Sequence, residues 1–286
     1  MLALPGLIGY ASQLLFDKLP DVPGIGYGFA RQLSAADRQP AMLVTRSSDN
    51  TSEAFGYKNG LLDAASILSF CGGSTGTVAQ VYNKGTLGSA GDGLQATQSN
   101  QPVIVNAGVL VTNPNGTAAL QLFASPGNMG LQTAGPTVTN VANPSAIIAV
   151  AALNNLTSSG GIAGDTGASY CRVIRAIGAN LNTDAFYGST TQSNVFLANS
   201  PAIVEGQFDF GNYTAGFNGA FVNGGSSQLD TSLYTAFSIG FLAGWNSSGP
   251  VKISEVLEYT NNVVSTFDQQ TYRMDQARAF GIAGVI

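Results

Sequence analysis

The stretch Ser145-Ala146-Ile147-Ile148-Ala149-Val150-Ala151-Ala152-Leu153 decides the fold class. It is a run of small and β-branched apolar residues, with Asn143-Pro144 before it and Asn154-Asn155 after it. Asn and Pro favour turns, and a short apolar run between two turn signals is typical of a β-strand. We therefore predict a strand over Ser145–Leu153.

Nine further runs of this kind recur from Tyr27 onward, separated by segments rich in Gly, Asn, Ser and Pro. They cover residues 41–46, 77–82, 102–105, 118–123, 171–177, 202–210, 213–222, 236–243 and Val251–Tyr259. Ten strands without a regular alternation of strands and helices favour two packed antiparallel sheets over a doubly wound sheet. The predicted fold class is all-β, an antiparallel β-sandwich.

Two short peripheral helices are predicted beside the strands. The first covers residues 61–70 and ends before Gly72-Gly73, a common helix stop. The second covers residues 267–280, after Thr266 and Gln269 at capping-box spacing. Its apolar stripe at helical spacing predicts a core-facing surface formed by Phe267, Met274, Ala277 and Phe280.

Charged residues are scarce. Asp, Glu, Lys and Arg make up 9% of the chain, against about 25% in an average soluble domain, and 36 Gly with many Asn, Ser, Thr and Gln take their place. Because charge keeps soluble molecules apart, a neutral polar surface suits a protein that is packed in an assembly or lies outside the cell. The net charge of −5 and the scattered Lys and Arg argue against nucleic-acid binding.

Residues 1–26 differ from the rest because Pro5, Pro20, Pro23 and several Gly surround a short apolar stretch. We predict an N-terminal docking arm over residues 1–26 and a sandwich domain over residues 27–286. The alternative is that this segment packs on its own domain as a strand or helix. The predicted assembly contacts of the arm are Leu14, Leu15, Phe16 and Leu19.

The first nine residues are apolar but lack basic residues and contain Pro5 and Gly6, so we do not predict a signal peptide. No run reaches the roughly 18 apolar residues of a membrane helix, and no membrane span is expected. The two cysteines, Cys71 and Cys171, are too few for a disulfide framework. They form either two buried free thiols or one long-range disulfide.

Catalytic chemistry has few candidates in this sequence. The chain contains no His, the commonest general base and metal ligand, and usual nucleophilic triads are therefore excluded. Glu205 and Asp209 lie on one face of a regular strand and are the fallback catalytic pair, whereas Glu255 and Glu258 lie on opposite faces. The alternative is that these carboxylates are solvated strand ends and turn caps. No cofactor is predicted.

Asp49-Asn50 and Asp165 lie in turn-like segments and offer oxygen ligands of the kind that Ca²⁺ prefers. An Asp in a turn more often accepts hydrogen bonds from its own backbone, so no metal site is predicted. Sugar binding has aromatic candidates, because sandwich domains bind sugars with exposed aromatic faces and amides. These glycan-binding candidates, with core packing as the alternative for each aromatic, are Trp245, Asn246, Tyr187 and Tyr213.

A family resemblance rests on residues 27–108. The segments Tyr27-Gly28-Phe29-Ala30-Arg31-Gln32-Leu33-Ser34, Phe55-Gly56-Tyr57 and Gln95-Ala96-Thr97-Gln98 carry it, with a weaker match at Ser254-Glu255-Val256-Leu257-Glu258-Tyr259. This series resembles the concanavalin-like, laminin-G-like jelly-roll domains of bacteriophage structural proteins. It is also similar to the catalytic domain of fungal arabinofuranosidase B, which has the same sandwich.

The departures from that pattern concern catalysis. Arabinofuranosidases of this kind have an adjacent Cys-Cys pair, which is absent here, and an acid/base Asp in a Gly-Gly-Asp-Asn-Ser-Asn-Gly segment. The nearest counterpart, Ala243-Gly244-Trp245-Asn246-Ser247-Ser248-Gly249, contains no carboxylate. The resemblance therefore implies the fold without the catalysis.

The function that this resemblance implies is that of a bacteriophage virion protein, a tail component or a capsid decoration. It would be made in the host cytoplasm and reside in the extracellular particle. Its expected partners are further copies of itself, other virion proteins and a host-surface glycan. The alternative is an arabinofuranosidase-like glycoside hydrolase.

Overall fold

The computed structural model describes residues 14–123, 129–138, 144–156, 159–167, 172–185, 188–209, 212–224, 234–240, 251–260 and 266–285. Two short 3₁₀ turns lie in this part of the chain, at Gly88–Gly91 and Gln98–Asn100. The helices are α1 (Leu15–Lys18), α2 (Ala64–Cys71) and α3 (Thr266–Phe280).

The strands of the N-terminal half are short. They are β1 (Ile25–Gly28), β2 (Met42–Arg46), β3 (Ser52–Phe55), β4 (Tyr57–Lys58), β5 (Leu61–Leu62), β6 (Gly76–Val81), β7 (Gly93–Leu94), β8 (Val103–Asn106), β9 (Val109–Leu110), β10 (Leu120–Gln121) and β11 (Leu131–Gln132).

The C-terminal half contains the longest strands. They are β12 (Ser145–Leu153), β13 (Ser159–Gly167), β14 (Val173–Ile177), β15 (Asn180–Ala185), β16 (Gly188–Gln192), β17 (Ala202–Asp209), β18 (Asn212–Phe217), β19 (Ala220–Asn223), β20 (Tyr234–Ile239) and β21 (Val251–Tyr259).

The strands form two facing layers, which confirms the predicted antiparallel β-sandwich. One layer has the order β19-β18-β17-β12-β21-β1. The other has the order β16-β15-β14-β13-β20-β11-β7. The layers are joined through β6, which pairs with β2, β7 and β8, and through β10, which pairs with β8 and β21.

The centre of the first layer is β12, which pairs with β17 on one side and β21 on the other. All nine residues of β12 are buried, because one face packs on the second layer and the other face is also covered. Its apolar run without polar alternation is typical of a strand buried on both faces. The predicted bounds of this strand and of β21 are confirmed to the residue.

Other predicted strands differ in detail. The run predicted over residues 213–222 is a hairpin of β18 and β19, joined by Asn218 and Gly219, whose φ angles are 49° and 91°. Two successive residues with positive φ form the tight turn whose twist matches antiparallel strands. The β13–β16 region was predicted only in part, because β13 contains four Gly among nine residues.

Both predicted helices exist, with corrected faces and bounds. The first begins at Ala64, where the Asp63 side chain accepts a hydrogen bond from Ser66 N, and it ends at Gly72 with a φ of 57°. In α3, Met274 is 63% exposed and Phe280 is buried, so the apolar stripe predicted for this helix is wrong at Met274. The buried face of α3 instead contains Asp268, Tyr272, Arg273, Gln276 and Phe280.

The N-terminal segment packs on the domain of its own chain from Leu14 onward. Leu15 is fully buried, and Phe16 and Leu19 are 5% and 6% exposed. The Phe16 N–H donates a hydrogen bond to Leu33 O, and its ring lies directly over Gly26. These residues are covered by their own chain, which corrects their predicted role as contacts to a neighbour. The segment from 1 to 13 lies outside the described residues, and its role as an arm stays a prediction.

Candidate functional site

The carboxylates of the first layer lie on both of its faces. In the antiparallel register Ile148 of β12 lies between Glu205 of β17 and Leu257 of β21, and Val150 lies beside Glu255. Since paired residues share a face and successive residues alternate, Glu205 and Glu255 point to one face and Glu258 points to the other. The predicted opposition of Glu255 and Glu258 is confirmed.

Glu205 is fully buried beneath α3. Its carboxylate accepts hydrogen bonds from Arg273 Nε (2.7 Å), Arg273 Nη2 (3.1 Å) and the Tyr272 hydroxyl, and its exposed fraction is 0%. The Arg273 guanidinium also lies 4.6 Å from the centre of the Phe221 ring. Burial, followed by the neighbouring Glu205 charge, raises the pKa of Tyr272 well above its ordinary value. The phenol therefore stays protonated and donates to the carboxylate.

Glu255 is held in the same way two strands away. It accepts hydrogen bonds from Arg31 Nε (2.8 Å) and Gln276 Nε2 (2.8 Å), and its side chain is fully buried. Arg31 also binds Asp275, which forms a further ion pair with Lys18. Burial alone would raise the pKa of Asp275, but the charges of Arg31 and Lys18 outweigh it and hold that pKa below its ordinary value.

This geometry does not resemble that of a glycosidase. Two strands at about 4.8 Å spacing and two residues at about 3.4 Å each separate the Glu205 and Glu255 backbones by roughly 12 Å. Glycosidases hold two carboxyl groups about 5–9.5 Å apart with room for the substrate, whereas Glu205 and Glu255 are both fully buried. Each carboxylate is also neutralised by its own arginine.

The fallback pair is likewise not brought together. Glu205 and Asp209 share a face as predicted, but a spacing of four positions along the strand separates their backbones by roughly 13 Å. Glu205 is buried in its ion pair, whereas Asp209 is exposed at the end of β17. The pair is therefore not a working acid–base couple in this structure.

The opposite face of β21 carries a buried cluster between the layers. Arg172 donates to both oxygens of Asp165 (2.7 and 2.8 Å) and to Glu258 Oε1 (2.5 Å), and all three side chains are buried. Thr137 Oγ1 also donates to Glu258 Oε1 (2.8 Å). Burial, only partly offset by Arg172 and reinforced by the Asp165 charge, raises the pKa of Glu258 to about 7.

The two possible metal positions have other partners. Asp49 accepts hydrogen bonds from Arg46 and from the backbone and side chain of Thr51 in an exposed turn. Asp165 lies in β13 and not in a turn, and Arg172 occupies both of its oxygens. Among the described residues, no three His, Cys, Asp or Glu side chains are grouped so that they could hold a metal ion.

The glycan candidates have different outcomes. Tyr213 is 3% exposed because it pairs with Phe208 on the inward face, and this burial corrects its prediction as an exposed sugar platform. Trp245, Asn246 and Tyr187 lie outside the described residues. Cys71 is a buried free thiol, and Cys171 also lies outside the described part of the chain.

A cleft lies at the end of β17, and residues of both faces of the layer line it. Its volume is about 200 Å³, and it lies where Gln207 pairs with both Ala146 and Thr214, and Asp209 pairs with Asn212. Pro144, which precedes β12, also lines the cleft. Of the candidate residues predicted from the sequence, Asp209 and Tyr213 line this cleft. The alternation along β17 and β18 indicates which residues share a face, but the cleft depends on the register of three strands.

Comparisons with known proteins reveal the fold and not the activity. The sequence matches no family model and no curated protein. The structure is similar to a GH54 α-L-arabinofuranosidase soaked with a cyclic sulfate inhibitor, with a TM-score of 0.64 and 14% identity. It is also similar to an arabinofuranosidase complexed with arabinofuranosyl-α-1,2-xylobiose, with a TM-score of 0.65 and 12% identity. Each match covers 90% of this chain and 63% of the other chain, less than two thirds of those enzymes.

In the described part of the chain, none of the helices has the length and apolar character needed to cross a membrane.

Proposed function

We propose that the protein is a non-catalytic structural component of a bacteriophage virion, displayed on the tail or capsid in many copies. The observation that supports this proposal best is the location of its few charges. Among the residues that the structure describes, nine ion pairs use at least seven of the chain's eleven basic residues, namely Lys18, Arg31, Arg46, Lys84, Arg172, Arg175 and Arg273.

Because most of the basic residues are paired within the chain, the surface carries few charges and consists mainly of amides, hydroxyls and glycines, with some unpaired carboxylates. Copies with such a surface can approach closely without the repulsion that keeps ordinary soluble proteins apart. A weak contact then becomes effective in a repeating array, because each contact adds to the avidity of the others. The charge-poor exterior thus favours dense assembly over free diffusion.

The proposed contact to the neighbouring subunit is the part of the arm that precedes α1. It contains Leu2, Leu4, Leu7 and Ile8. Burying these side chains on another subunit would contribute about 25 cal/mol per Å² of apolar surface, less the cost of ordering the segment. Residues from Leu15 onward are excluded from this role because they stabilise their own domain.

Particle association tests the proposal. We expect the protein to co-sediment with virions on a density gradient. A variant in which Leu2, Leu4, Leu7 and Ile8 are all replaced by Ser should fold normally but be lost from particles. A matched variant with Val109→Ser and Leu197→Ser, two exposed apolar residues of the body, should be retained. Absence of the wild-type protein from purified virions would end the proposal. Retention of the arm variant at the wild-type level would refute the docking arm.

A second candidate, an arabinofuranoside hydrolase, is favoured by the similarity to two arabinofuranosidase structures. The burial of Glu205 in its ion pair with Arg273 opposes it. We expect no release of 4-nitrophenol from 4-nitrophenyl α-L-arabinofuranoside above the buffer rate. Hydrolysis that disappears in Glu205→Gln and persists in Glu53→Gln, a change at an exposed carboxylate, would reverse the ranking of the two functions.

A further inference from the structure

We propose that the outer edge of β19 is a homodimer interface, at which β19 of one copy pairs antiparallel with β19 of a second copy. β19 is the last strand of the first layer, and among the described residues β18 is the only strand that pairs with it. All four of its residues are exposed, with Phe221 and Val222 at 36% and 43%. This contact is separate from the N-terminal arm and does not require the protein to belong to a virion.

The ladder between β18 and β19 shows which backbone groups face outward. The Gly224 N–H donates a hydrogen bond to Tyr213 O (2.8 Å), just beyond the last paired residues of the two strands. Because hydrogen-bonded and non-hydrogen-bonded pairs alternate in an antiparallel ladder, the N–H and C=O groups of Val222 point toward β18. Those of Phe221 and Asn223 then point away from the layer. The β19 edge therefore offers donors and acceptors in the arrangement that an added strand needs.

β19 lacks the usual sequence features that protect a sheet edge. Lys, Pro or a bulge commonly prevents a terminal strand from pairing with another chain. β19 contains only Ala, Phe, Val and Asn, and its register with β18 is regular. Arg273, which lies over the Phe221 ring, is already paired with Glu205. Two copies can therefore approach edge to edge without repulsion between like charges.

The opposite edge of the same layer is closed, so the second copy must offer its own β19. All four residues of β1 are buried. The Gly26 N–H donates to Asn83 Oδ1 (2.8 Å), and Gly26 O accepts from the Lys84 N–H (2.9 Å). These contacts occupy the outer backbone groups of β1 and exclude head-to-tail joining of first layers. A twofold axis, which brings the same edge of two copies together, is the arrangement that remains for this layer.

A twofold axis at Val222 gives a self-complementary register. Phe221 of each copy then pairs with Asn223 of the other, and each pair exchanges two backbone hydrogen bonds. The two Val222 residues face each other as a non-hydrogen-bonded pair, whose Cα atoms are about 4.5 Å apart in such ladders. Directly opposed side chains at this distance contact each other, so the exposed surface of Val222 becomes buried. Strands of this length make a small interface, so the dimer is weak alone and is strengthened in a repeating array.

Sedimentation equilibrium from micromolar to millimolar concentration tests the pairing. We expect the wild type to pass from monomer to dimer. Asn223→Pro removes an outward N–H that makes no bond to β18, so the fold should persist while the dissociation constant rises at least tenfold. Asn223→Ala keeps that N–H, and the variant with Ser at positions 2, 4, 7 and 8 keeps the whole edge, so both should dimerise within twofold of the wild type. A wild type that stays monomeric throughout, or undiminished dimerisation of Asn223→Pro, would overturn the proposal.

Cysteine crosslinking tests the register independently of the proline variant. Val222→Cys places two thiols at a Cα separation that a disulfide spans, whereas Ala220→Cys places them roughly 14 Å apart. We expect oxidation to link Val222→Cys into covalent dimers above the wild-type background, and to link neither Ala220→Cys nor Val109→Cys, an exposed position elsewhere. Equal crosslinking at positions 220 and 222, or none at 222, would refute the twofold pairing. Because the purified protein is used, its absence from virions would refute the proposed function and leave this dimer standing.

Discussion

Replacing Arg172 by Met should lower the free energy of unfolding by about 3–5 kcal/mol. Arg172 is fully buried between the two layers, and it donates hydrogen bonds to Asp165 and Glu258. Met fills a similar volume but leaves both carboxyl groups without a cation, and an uncompensated buried charge is the costly outcome of breaking a buried pair. Urea denaturation at pH 8 measures the loss.

A compensated variant shows whether charge or packing is responsible. Adding Asp165→Asn and Glu258→Gln to Arg172→Met removes every charge of the cluster, and most of the lost stability should return, because neutral replacements of buried ion pairs are often tolerated. The exposed pair Arg46–Asp49 is the surface reference, and Arg46→Met should change stability little. Equal losses in the single and triple Arg172 variants would show that the packing of the guanidinium, and not its charge, matters.

The sequence predicts the central strands well because their signal is local. Both β12 and β21 are continuous runs with clear boundaries, and both were predicted to the residue. The β18–β19 turn also has a local signal, because Asn218-Gly219 is a strong hairpin dipeptide inside an otherwise strand-like run. The run from 213 to 222 was predicted as one strand because its apolar character outweighed that signal.

The inner face of α3 depends on tertiary context. Tyr272, Arg273 and Gln276 are buried because the sheet beneath them presents Glu205 and Glu255. Helical periodicity assigns apolar residues to the core and therefore points to Met274, which is exposed. Only the register of β17, β12 and β21 shows that the covered sheet face is charged, and a single sequence does not contain that register.

The same reasoning explains the partial success at the candidate site. Because the chain contains no His, the sequence excludes the common His-dependent catalytic groups. The alternation of side chains along β17 places Glu205 and Asp209 on one face. The sequence does not show that Arg273 of α3, more than sixty residues later, pairs with Glu205 and covers it. It also does not show that Ala146 leaves room beside Gln207. Both facts arise from contacts between elements distant in sequence.

The stability of the protein should fall as the pH rises from about 4.5 to 7, because of Glu258. Its pKa is raised to about 7 in the folded protein, against about 4.3 in an unfolded chain, so in this window the folded state retains a proton that the unfolded state releases. Unfolding then becomes more favourable with rising pH, and the total effect of this group is on the order of 3 kcal/mol. Asp165, Arg172, Thr137 and Tyr27 are the polar and titratable groups around it.

Chemical denaturation between pH 4.5 and 8 checks this expectation, and a matched pair of variants on β21 isolates the group responsible. Glu258→Gln cannot release a proton and leaves Arg172 balanced by Asp165, so it should remove the decline and be more stable than the wild type at pH 8. Glu255→Gln deprives Arg31 of its buried partner, so this variant should be less stable than the wild type at every pH. Because Glu258 is intact, its free energy of unfolding should still decline with pH as in the wild type. If the free energy of unfolding of the wild type and of Glu258→Gln changed equally with pH, Glu258 would not be the group that retains a proton on folding. The buried cluster would then hold both of its carboxylates charged against a single arginine.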